Sequence, residues 1–586
     1  MKGGDPETIS AAKNTSAGVR TRKRATTSLF AQGEPMIWLT GGGLVIALVM
    51  ISGLISLIFA QGIVTLWPQP IVRYRTHDGR ALMGEVTREE SYRPQEADYA
   101  RLAPADEERE RKKKAARDGW ARRRLLRTGN FELTGEHFNW ISDLEVSDSD
   151  LPEWAVIVER LSWGRFYGIP KAFLIDGEQT ASGAEAVWSE FQRYFDGVVE
   201  RRKKQRHMET VTVGELNLRL EHARLNIRRA EIVHGSGSAE HKQAEAEYEV
   251  LEKKASGEFA RIQHEVKALR DKNEGYQILF EVADGRETKL SLAEIVRAYP
   301  ANRLSFPRKI AVYGSRWIEF LTAEPREANS EGGVFPAIFG TVVMTVLMSL
   351  AVVPFGVMAA LYLREYAKAG PVVSAVRIAI NNLAGVPSIV FGVFGLGFFC
   401  YMVGASIDQL LFAEKLPNPT YGKGGILWAS FTLALMTLPV VIVATEEALS
   451  AVPNSMREGS YACGASKWQT IRRIILPRAL PGIMTGMILA MARGAGEVAP
   501  LMLVGAVKLA PELPIDRIFP YIHPERSFMH LGFHIYDLGF QSQNSEAAKP
   551  MVFTTTLLLI TIVALLNVFA VRLRTRLRRK FVSSVF

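Results

Sequence analysis

Residues 458–481 read EGSYACGASKWQTIRRIILPRALP and form a polar, helix-favouring stretch between two strongly apolar segments. Two small residues follow Glu458, and a glycine stands at 464. We expect a helix, a turn at Gly464 that permits close backbone approach, and a second helix with Trp468 and Ile471 as apolar anchors. Pro477 and Pro481 would set the start of the next apolar helix. Such an elbow is suited to docking into a groove of another protein.

The same stretch has an alternative interpretation as an amphipathic loop lying on the membrane surface. Its basic residues favour this interpretation: Arg457, Lys467, Arg472, Arg473 and Arg478. The small residues, the tryptophan and the run IILP favour docking instead.

Apolar residues are concentrated in blocks, although the hydrophobic fraction of 48% is ordinary. A helix needs about 20 apolar residues to cross a bilayer, and each block approaches or exceeds that length. The blocks are residues 37–66, 335–363, 383–403, 426–444, 483–507 and 551–570. The sequence therefore predicts a mainly α, polytopic membrane protein with six helices and both termini on one side.

Basic residues at the ends of the blocks predict the orientation. Lys and Arg cluster before the first block and in RLRTRLRRK after the last. Both tails, residues 1–36 and 572–586, are therefore expected in the cytoplasm. The first block, within residues 37–67, is too long and too far from the N-terminus for a cleaved signal, so we interpret it as a retained anchor.

Residues 68–334 hold most of the charge and are expected to form a soluble extracytoplasmic domain. Their basic patches do not contradict this, because long loops translocate largely regardless of charge. Segments 71–86 and 276–292 each read as a strand, an Asp-Gly turn and a second strand. Small β-hairpins should therefore flank the domain.

Residues 214–271 are rich in Glu, Lys, Ala and Leu, and their apolar residues recur mostly at alternating steps of three and four. These positions are Ala244, Tyr248, Leu251, Ala255, Phe259, Ile262, Val266 and Leu269. The spacing predicts a coiled coil, which the step from Ala255 to Phe259 should locally unwind. Since Gly235-Ser236-Gly237 interrupts the pattern, we expect an antiparallel helical hairpin. It could dock a partner or serve as a solvated structural arm.

The basic run at residues 109–127 also has two interpretations. It could bind anionic lipid or an acidic partner, but a charged exposed helix is the more common explanation.

Redox, metal and nucleotide chemistry receive little support from the sequence. Cys400 and Cys463 are expected on opposite sides of the membrane, so they should not pair. Neither accompanies a Cys/His cluster at metal-ligand spacing, and we expect no metal site. The sequence contains no G-x-x-x-x-G-K-[ST] phosphate loop. Any ATP hydrolysis should therefore come from a separate protein.

Arg493 and Glu497 stand inside the block 483–507, four residues apart, and are expected to share one face of a helix. Ionisable groups at membrane depth are costly, so they should face a polar pathway or a partner. Arg493 could donate to a tetrahedral oxyanion crossing a pore, with Glu497 orienting it or accepting a proton. Alternatively, the two only neutralise each other and stabilise helix packing.

Three segments carry a resemblance to a known family: NLAGVPSIVFG at 382–392, the stretch 458–481, and residues 493–500. Together they resemble the PstA permease subunits of phosphate ABC importers, over residues 331–571. The resemblance implies a second homologous permease, a dimeric cytoplasmic ATPase that uses ATP-Mg, and an extracytoplasmic phosphate-binding protein. It also implies a location in a bacterial inner membrane, no cofactor bound by this chain and no nucleic-acid partner.

The resemblance also implies roles for particular residues. Residues 335–571 would form an ABC importer permease core in the lipid bilayer, in which residues 446–481 form a coupling loop that docks into the ATPase. The docking residues would be Glu458, Gly459, Gly464, Ala465, Trp468, Ile471, Leu476 and Pro477. Arg493 and Glu497 match the family's residues implicated in phosphate passage.

Two departures from the family limit what the resemblance implies. Gly459-Ser460 replaces the usual Ala-Ala, a small-for-small change. The insert at residues 68–334 is absent from compact members, so its role does not follow. Two alternatives stay open: a permease for another oxyanion such as sulfate or molybdate, and a membrane-anchored sensor or scaffold that binds partners through the outer hairpin.

Overall fold

The computed structural model describes residues 34–99, 119–516, 519–542 and 545–582. Most of the predicted tail at 1–36, residues 109–118 of the basic run and the last four residues lie outside this range. The helices are α1 Glu34–Val64, α2 Glu96–Tyr99, α3 Phe131–Thr134, α4 Ala184–His207, α5 Val213–His234, α6 Ala239–Glu274, α7 Phe306–Thr322, α8 Phe335–Leu361, α9 Pro371–Ala384, α10 Ser388–Phe394, α11 Ala405–Leu411, α12 Ile426–Ser450, α13 Asn454–Ala462, α14 Lys467–Thr470, α15 Leu476–Gly494, α16 Ala499–Val504, α17 Leu531–Tyr536 and α18 Ser545–Val582. The strands are β1 Ile71–Thr76, β2 Ala81–Tyr92, β3 Ala121–Arg127, β4 Phe138–Ser142, β5 Val146–Asp150, β6 Val156–Arg160, β7 Arg165–Ile175, β8 Glu178–Ser182, β9 Tyr276–Glu281, β10 Glu287–Ser291, β11 Ile295–Pro300, β12 Pro325–Arg326 and β13 Glu331–Gly332.

Six helical segments of the described chain are long and apolar enough to cross a membrane, which confirms the prediction of six membrane helices. In chain order, spans 1 to 6 are Met36–Val64, Phe335–Tyr366, Ser388–Leu411, Ile426–Ser450, Lys467–Gly494 and Ser545–Arg576. Span 3 begins later than the predicted block because residues 383 and 384 end the separate helix α9. Pro387 disfavours helical backbone at the residue before it, so the chain restarts its helix at Ser388.

Spans 2, 4 and 5 pack into one apolar core. Met348, Leu433 and Ala490, one from each span, are fully buried in a shared cluster. Glycines allow these helices to approach closely. A Cβ placed on Gly356 of span 2 would lie 2.6 Å from Cγ1 of Val441 in span 4. This packing therefore fixes the positions of spans 2, 4 and 5 relative to one another.

The region between spans 1 and 2 is rich in β-structure. One sheet has the order β4-β3-β2-β1-β5, and the other has the order β10-β9-β7-β6-β11, with β8 paired to β7. Both predicted strand pairs are present, β1 with β2 and β9 with β10, and both are antiparallel. The two predicted hairpins are therefore confirmed, but each belongs to a larger sheet instead of standing alone. The side of the membrane on which this region lies remains a prediction.

The described part of the basic run is mostly a strand, so a charged exposed helix is the wrong interpretation for it. Residues Ala121–Arg127 form β3, between β2 and β4. Arg123 lies 2.9 Å from Glu90, and Arg124 lies 2.5 Å from Asp143. Carboxylates on neighbouring segments therefore neutralise the charge that suggested a solvated helix.

Two long helices, α5 and α6, pack against each other where the helical hairpin was predicted. Leu216, Phe259 and Ile262 share one apolar cluster. The helical arm begins earlier than residue 214, because α4 continues through the π-helical turn Met208–Thr212 into α5. Near the end of α5, Arg229 Nη2 lies 2.5 Å from Glu414 Oε1, in the turn after span 3. Supercoiling of the pair and any docking role remain predictions.

A buried ion network connects the second sheet to helix α7. Glu159 of β6 accepts hydrogen bonds of 2.5 Å from Arg316 of α7 and from Arg297 of β11. Burial alone would raise the pKa of the Glu159 carboxyl, but the positive charges of Arg316 and Arg297 hold that pKa well below its usual range. The ionised form of Glu159 therefore stabilises the fold.

Glu159→Gln should destabilise the protein by about 3–5 kcal/mol, because the buried Arg316 loses the counter-charge with which it is paired. Thermal unfolding of the full chain in detergent, followed by tryptophan fluorescence, would measure the loss. Glu153→Gln is a matched control, since the side chain of Glu153 is 71% exposed. Because the folded-state pKa of Glu159 is depressed, its contribution is complete above about pH 5 and declines as the pH falls below the unfolded pKa of about 4.3. The gap between wild type and Glu159→Gln should narrow in acid, and a gap independent of pH would contradict this account.

Candidate functional site

Span 5 ends inside the membrane. Its helix stops at Gly494, the next residues to Val498 lie outside any helix, and the short helix α16 begins at Ala499. The predicted continuous helix over the block 483–507 is therefore wrong. Pro500 provides a physical reason, since it lacks a backbone donor and clashes with helical backbone before it.

Contacts with spans 2 and 4 give the depth of this break. Gly494 lies directly against Met348, near the middle of α8. A Cβ on Gly486 would lie 2.7 Å from Cβ of Ala444 in span 4. Spans 4 and 5 run antiparallel, so residues later in span 5 lie level with residues earlier in span 4. Arg493 is therefore close to the level of Thr437, halfway along α12. The helix break is therefore near the middle of the membrane.

Arg493 lies in the last helical turn before the break, and Glu497 lies within the break. Nε of Arg493 is 3.6 Å from Oε1 of Glu497, and the side chains are 36% and 23% exposed. They do not share one helix face as predicted, because Glu497 lies beyond the end of the helix. Arg493 occupies the last turn of α15, where the helix dipole favours a cation. Irregular backbone and charge at this depth are tolerated where they line a water-filled cavity or contact another protein.

The structure also brings together two segments that are distant in sequence, 382–392 and 493–500. A Cβ on Gly392 would lie 2.7 Å from Cα of Pro500. Helices α10 and α16 therefore pack backbone to backbone beside the break. The glycine at 392 is required for this contact, since any larger residue would collide with the main chain.

Sequence analysis missed a buried polar group that packs against the break. His530, His534 and Asp537 are almost fully buried, and Asn329 donates a hydrogen bond of 2.9 Å to Asp537. A Cβ on Gly532, between the histidines, would lie 2.8 Å from Val498. Their spacing of four and three residues was a detectable helical signal. Within the described chain, His, Cys, Asp and Glu side chains nowhere form a group of three that could hold a metal ion.

The stretch 458–481 forms an elbow at the other end of span 5. Helix α13 ends at Ala462, and Gly464 follows with a φ of +80°. Ser466 then caps α14 by accepting a hydrogen bond of 3.3 Å from the Gln469 amide, while Gln469 Oε1 accepts one of 2.8 Å from the Ser466 amide. A glycine is needed at 464 because its backbone is left-handed. Close backbone approach does not explain it, since no atom of the described residues outside its chain neighbours lies within 4 Å of an added Cβ.

Exposure divides the predicted docking residues into two sets. Glu458, Gly459, Gly464 and Trp468 are exposed, and Ala465 is half-buried beside them. Tyr461, which sequence analysis missed, is 42% exposed on the same elbow, and Trp468 is 56% exposed. These residues form the elbow surface, defined as Glu458, Gly459, Tyr461, Gly464, Ala465 and Trp468.

Ile471 does not belong to the elbow surface. It is fully buried in a cluster with Ala360 and Leu449, so the prediction that it anchors a partner is wrong. Leu476 and Pro477 are half-buried. Pro477 lies in the first turn of α15, as predicted, although span 5 as a whole begins earlier, at Lys467, and includes α14 and the π-helical turn Ile471–Ile475. The predicted loop 446–481 is therefore shorter in the structure, because α12 continues to Ser450.

Arg457 fixes α13 to the end of span 2, a contact that sequence analysis did not anticipate. Its guanidinium donates to Glu365 Oε1 at 3.1 Å and to the carbonyl oxygens of Val452 and Leu449 at 2.6 and 2.8 Å. The side chains of Arg457 and Glu365 are only 12% and 9% exposed. Displacement of the elbow would therefore be transmitted to span 2 as well as to span 5.

Residues 352–581 match the family described as "Binding-protein-dependent transport system inner membrane component". This part of the chain is therefore similar to that family's membrane component. It contains the mid-membrane break, the elbow surface and spans 3 to 6.

The matched region also has named relatives. The chain is 35% identical over 209 residues to the "Probable ABC transporter permease protein YqgH" of Bacillus subtilis (strain 168), covering 35% of this chain and 64% of that protein. It is 42% identical over 176 residues to the "Phosphate transport system permease protein PstA" of Mycobacterium leprae (strain TN), covering 30% of this chain and 52% of that protein. The chain therefore covers less than two thirds of the length of either relative.

Among solved structures, the chain is similar to the inward-facing MetNI methionine ABC transporter. The TM-score is 0.31 and the identity 20%, with coverage of 41% of this chain and 94% of that chain.

Proposed function

We propose that this chain is the transmembrane permease subunit of an ATP-driven phosphate importer and forms half of its translocation pathway. The observation that carries the proposal is the charged helix break at mid-membrane, within a domain that is 42% identical to a relative named as a phosphate transport permease. Discontinuous helices near the membrane centre are a common way to build substrate sites in transporters.

In the proposed mechanism, Arg493 binds the oxyanion as it crosses the membrane. A guanidinium presents several donors in a fixed fork that matches phosphate oxygens. Glu497, whose Oε1 is 3.6 Å from Arg493, orients the guanidinium when no anion is bound. It also competes with the anion for the guanidinium, which keeps the anion from binding too tightly to be released. A pathway residue must release its ligand as well as bind it.

The exposure of Arg493 and Glu497 supports a second permease subunit. A single chain leaves both side chains partly uncovered at a depth where lipid contact would be costly. A homologous subunit facing them would complete a polar passage. We propose that an extracytoplasmic phosphate-binding protein delivers the anion to this heterodimer, and that both chain termini are cytoplasmic.

The elbow surface is the proposed contact with a dimeric cytoplasmic ATPase. Two exposed aromatic rings, Tyr461 and Trp468, are residues of the type that anchors protein interfaces. ATP-Mg would act only in that ATPase, and the chain itself would bind no cofactor. Movement of the elbow would reach the break through span 5 and through the Arg457–Glu365 contact.

Uptake of labelled phosphate by phosphate-starved cells tests the cargo. In cells whose own copy is deleted, the intact chain should restore uptake when its other subunits are present. The matched assays use labelled sulfate and molybdate. Assembly with an ATPase, combined with uptake of one of these anions and not of phosphate, would assign another oxyanion instead.

A further inference from the structure

Helix α7, Phe306–Thr322, has an apolar face that the described chain leaves uncovered. Phe306, Ile310, Ile318 and Leu321 are 66%, 49%, 65% and 38% exposed. With Trp317, they lie on one side of an α-helix, whose turn repeats every 3.6 residues. Exposed apolar residues scattered singly need no explanation, but a continuous helical face of them marks an interaction surface.

The adjoining side of α7 is firmly packed against the rest of the protein. Phe320 is 1% exposed, and Arg316 is 4% exposed and bound to Glu159. Arg316 also donates a hydrogen bond of 3.1 Å to the carbonyl oxygen of Leu66. The helix therefore cannot rotate to bury its apolar face without breaking a buried ion pair.

Contacts at both ends place α7 where the chain leaves and re-enters the membrane. The hydroxyl of Tyr313 donates to the carbonyl oxygen of Ile63, in the last turn of span 1, at 3.1 Å. Trp67, just beyond that span, lies 5.4 Å from the Tyr313 ring and 6.2 Å from the Phe306 ring. At the other end, the Val334 amide donates to the carbonyl oxygen of Phe320 at 2.8 Å, one residue before span 2 begins.

We propose that α7 lies in the membrane interface and inserts its exposed apolar face into the lipid leaflet on the side of the β-sheets. Aromatic residues concentrate at this level in membrane proteins, as Trp67, Tyr313 and Trp317 do here. The assignment rests on continuity with two membrane spans and is independent of the transported cargo.

Lipid contact also gives the ion network a mechanical role. Glu159 ties the second sheet to a helix that the bilayer holds in place. The β-sheets would therefore keep a fixed height and tilt above the membrane rather than swing freely between spans 1 and 2.

Site-specific fluorescence quenching in the full chain tests the proposal. Cys463→Ser removes the exposed native thiol, and buried Cys400 is retained. Ile310→Cys and Ile318→Cys each receive an environment-sensitive fluorophore after reconstitution into phosphatidylcholine–phosphatidylglycerol vesicles. Val250→Cys is the matched control, since Val250 is also apolar and is 72% exposed on the distant helix α6.

Labels at 310 and 318 should emit at shorter wavelength than the label at 250. Nitroxide lipids labelled near the headgroup should quench them several-fold more strongly than aqueous iodide does, and the label at 250 should show the reverse. Stronger quenching by iodide at either position would overturn the proposal. Protection from both quenchers would also overturn it, since a protein would then cover the face.

Discussion

Arg493→Gln should reach the membrane in normal amounts and assemble with its ATPase, yet lose phosphate uptake by about 10- to 100-fold. The expected loss is that of a hydrogen bond to a charged group, about 1.5–3 kcal/mol. The Arg493 side chain is partly exposed at mid-membrane. Removing its charge therefore leaves no fully buried charge without a partner inside this chain, and the variant should fold. Labelled phosphate uptake at matched membrane levels measures the effect.

A double substitution separates the pathway role from a structural ion pair. An ion pair that only stabilises packing can be replaced by apolar residues with little loss. R493M/E497M should therefore accumulate normally and remain inactive if Arg493 binds the anion. Recovery of uptake in the double variant, or failure of Arg493→Gln to accumulate, would identify the pair as structural.

Gly464→Glu should leave the chain inserted and stable but abolish its coupling to ATP hydrolysis. The residue has a φ of +80°, a conformation that costs a side chain about 1–2 kcal/mol. The added carboxylate would also project from the elbow surface, where the structure leaves open space for a partner. Co-purification with the ATPase, and the ratio of uptake to ATP hydrolysis, should both fall.

Two controls separate docking from local strain in this experiment. Gly464→Asn keeps a residue that tolerates left-handed backbone, so it should retain more coupling than Gly464→Glu. Gly257→Glu adds the same carboxylate at an exposed glycine of α6, with no atom within 4 Å of the added Cβ, and should change neither readout. Normal uptake by a well-expressed Gly464→Glu variant would remove the coupling proposal.

The membrane spans were predictable because length and apolarity alone decide whether a helix can cross a bilayer. The break in span 5 was not, since Arg493 and Glu497 are spaced as on a continuous helix. Gly494, Gly496 and Pro500 were the available signal, but the close packing of Gly494 against Met348 depends on a residue distant in sequence.

The local sequence also did not predict that β3 is a strand or that Ile471 is buried. The strand carries four arginines in ARRRLLR, and only carboxylates from other segments make that composition compatible with a sheet. Ile471 follows the exposed Trp468 on a short helix, so its burial depends on helices elsewhere in the chain. In both cases, the decisive neighbours are remote in sequence.

The Glu159–Arg316 pair constrains how the protein can be shortened. A compact version made by excising residues 68–334 would remove both partners together. A deletion that removed the sheets but kept α7 would leave Arg316 without its carboxylate partner. Truncations should therefore either retain the sheets with α7 or replace Arg316 by an apolar residue. The safest boundaries for a minimal version are those that never divide this pair.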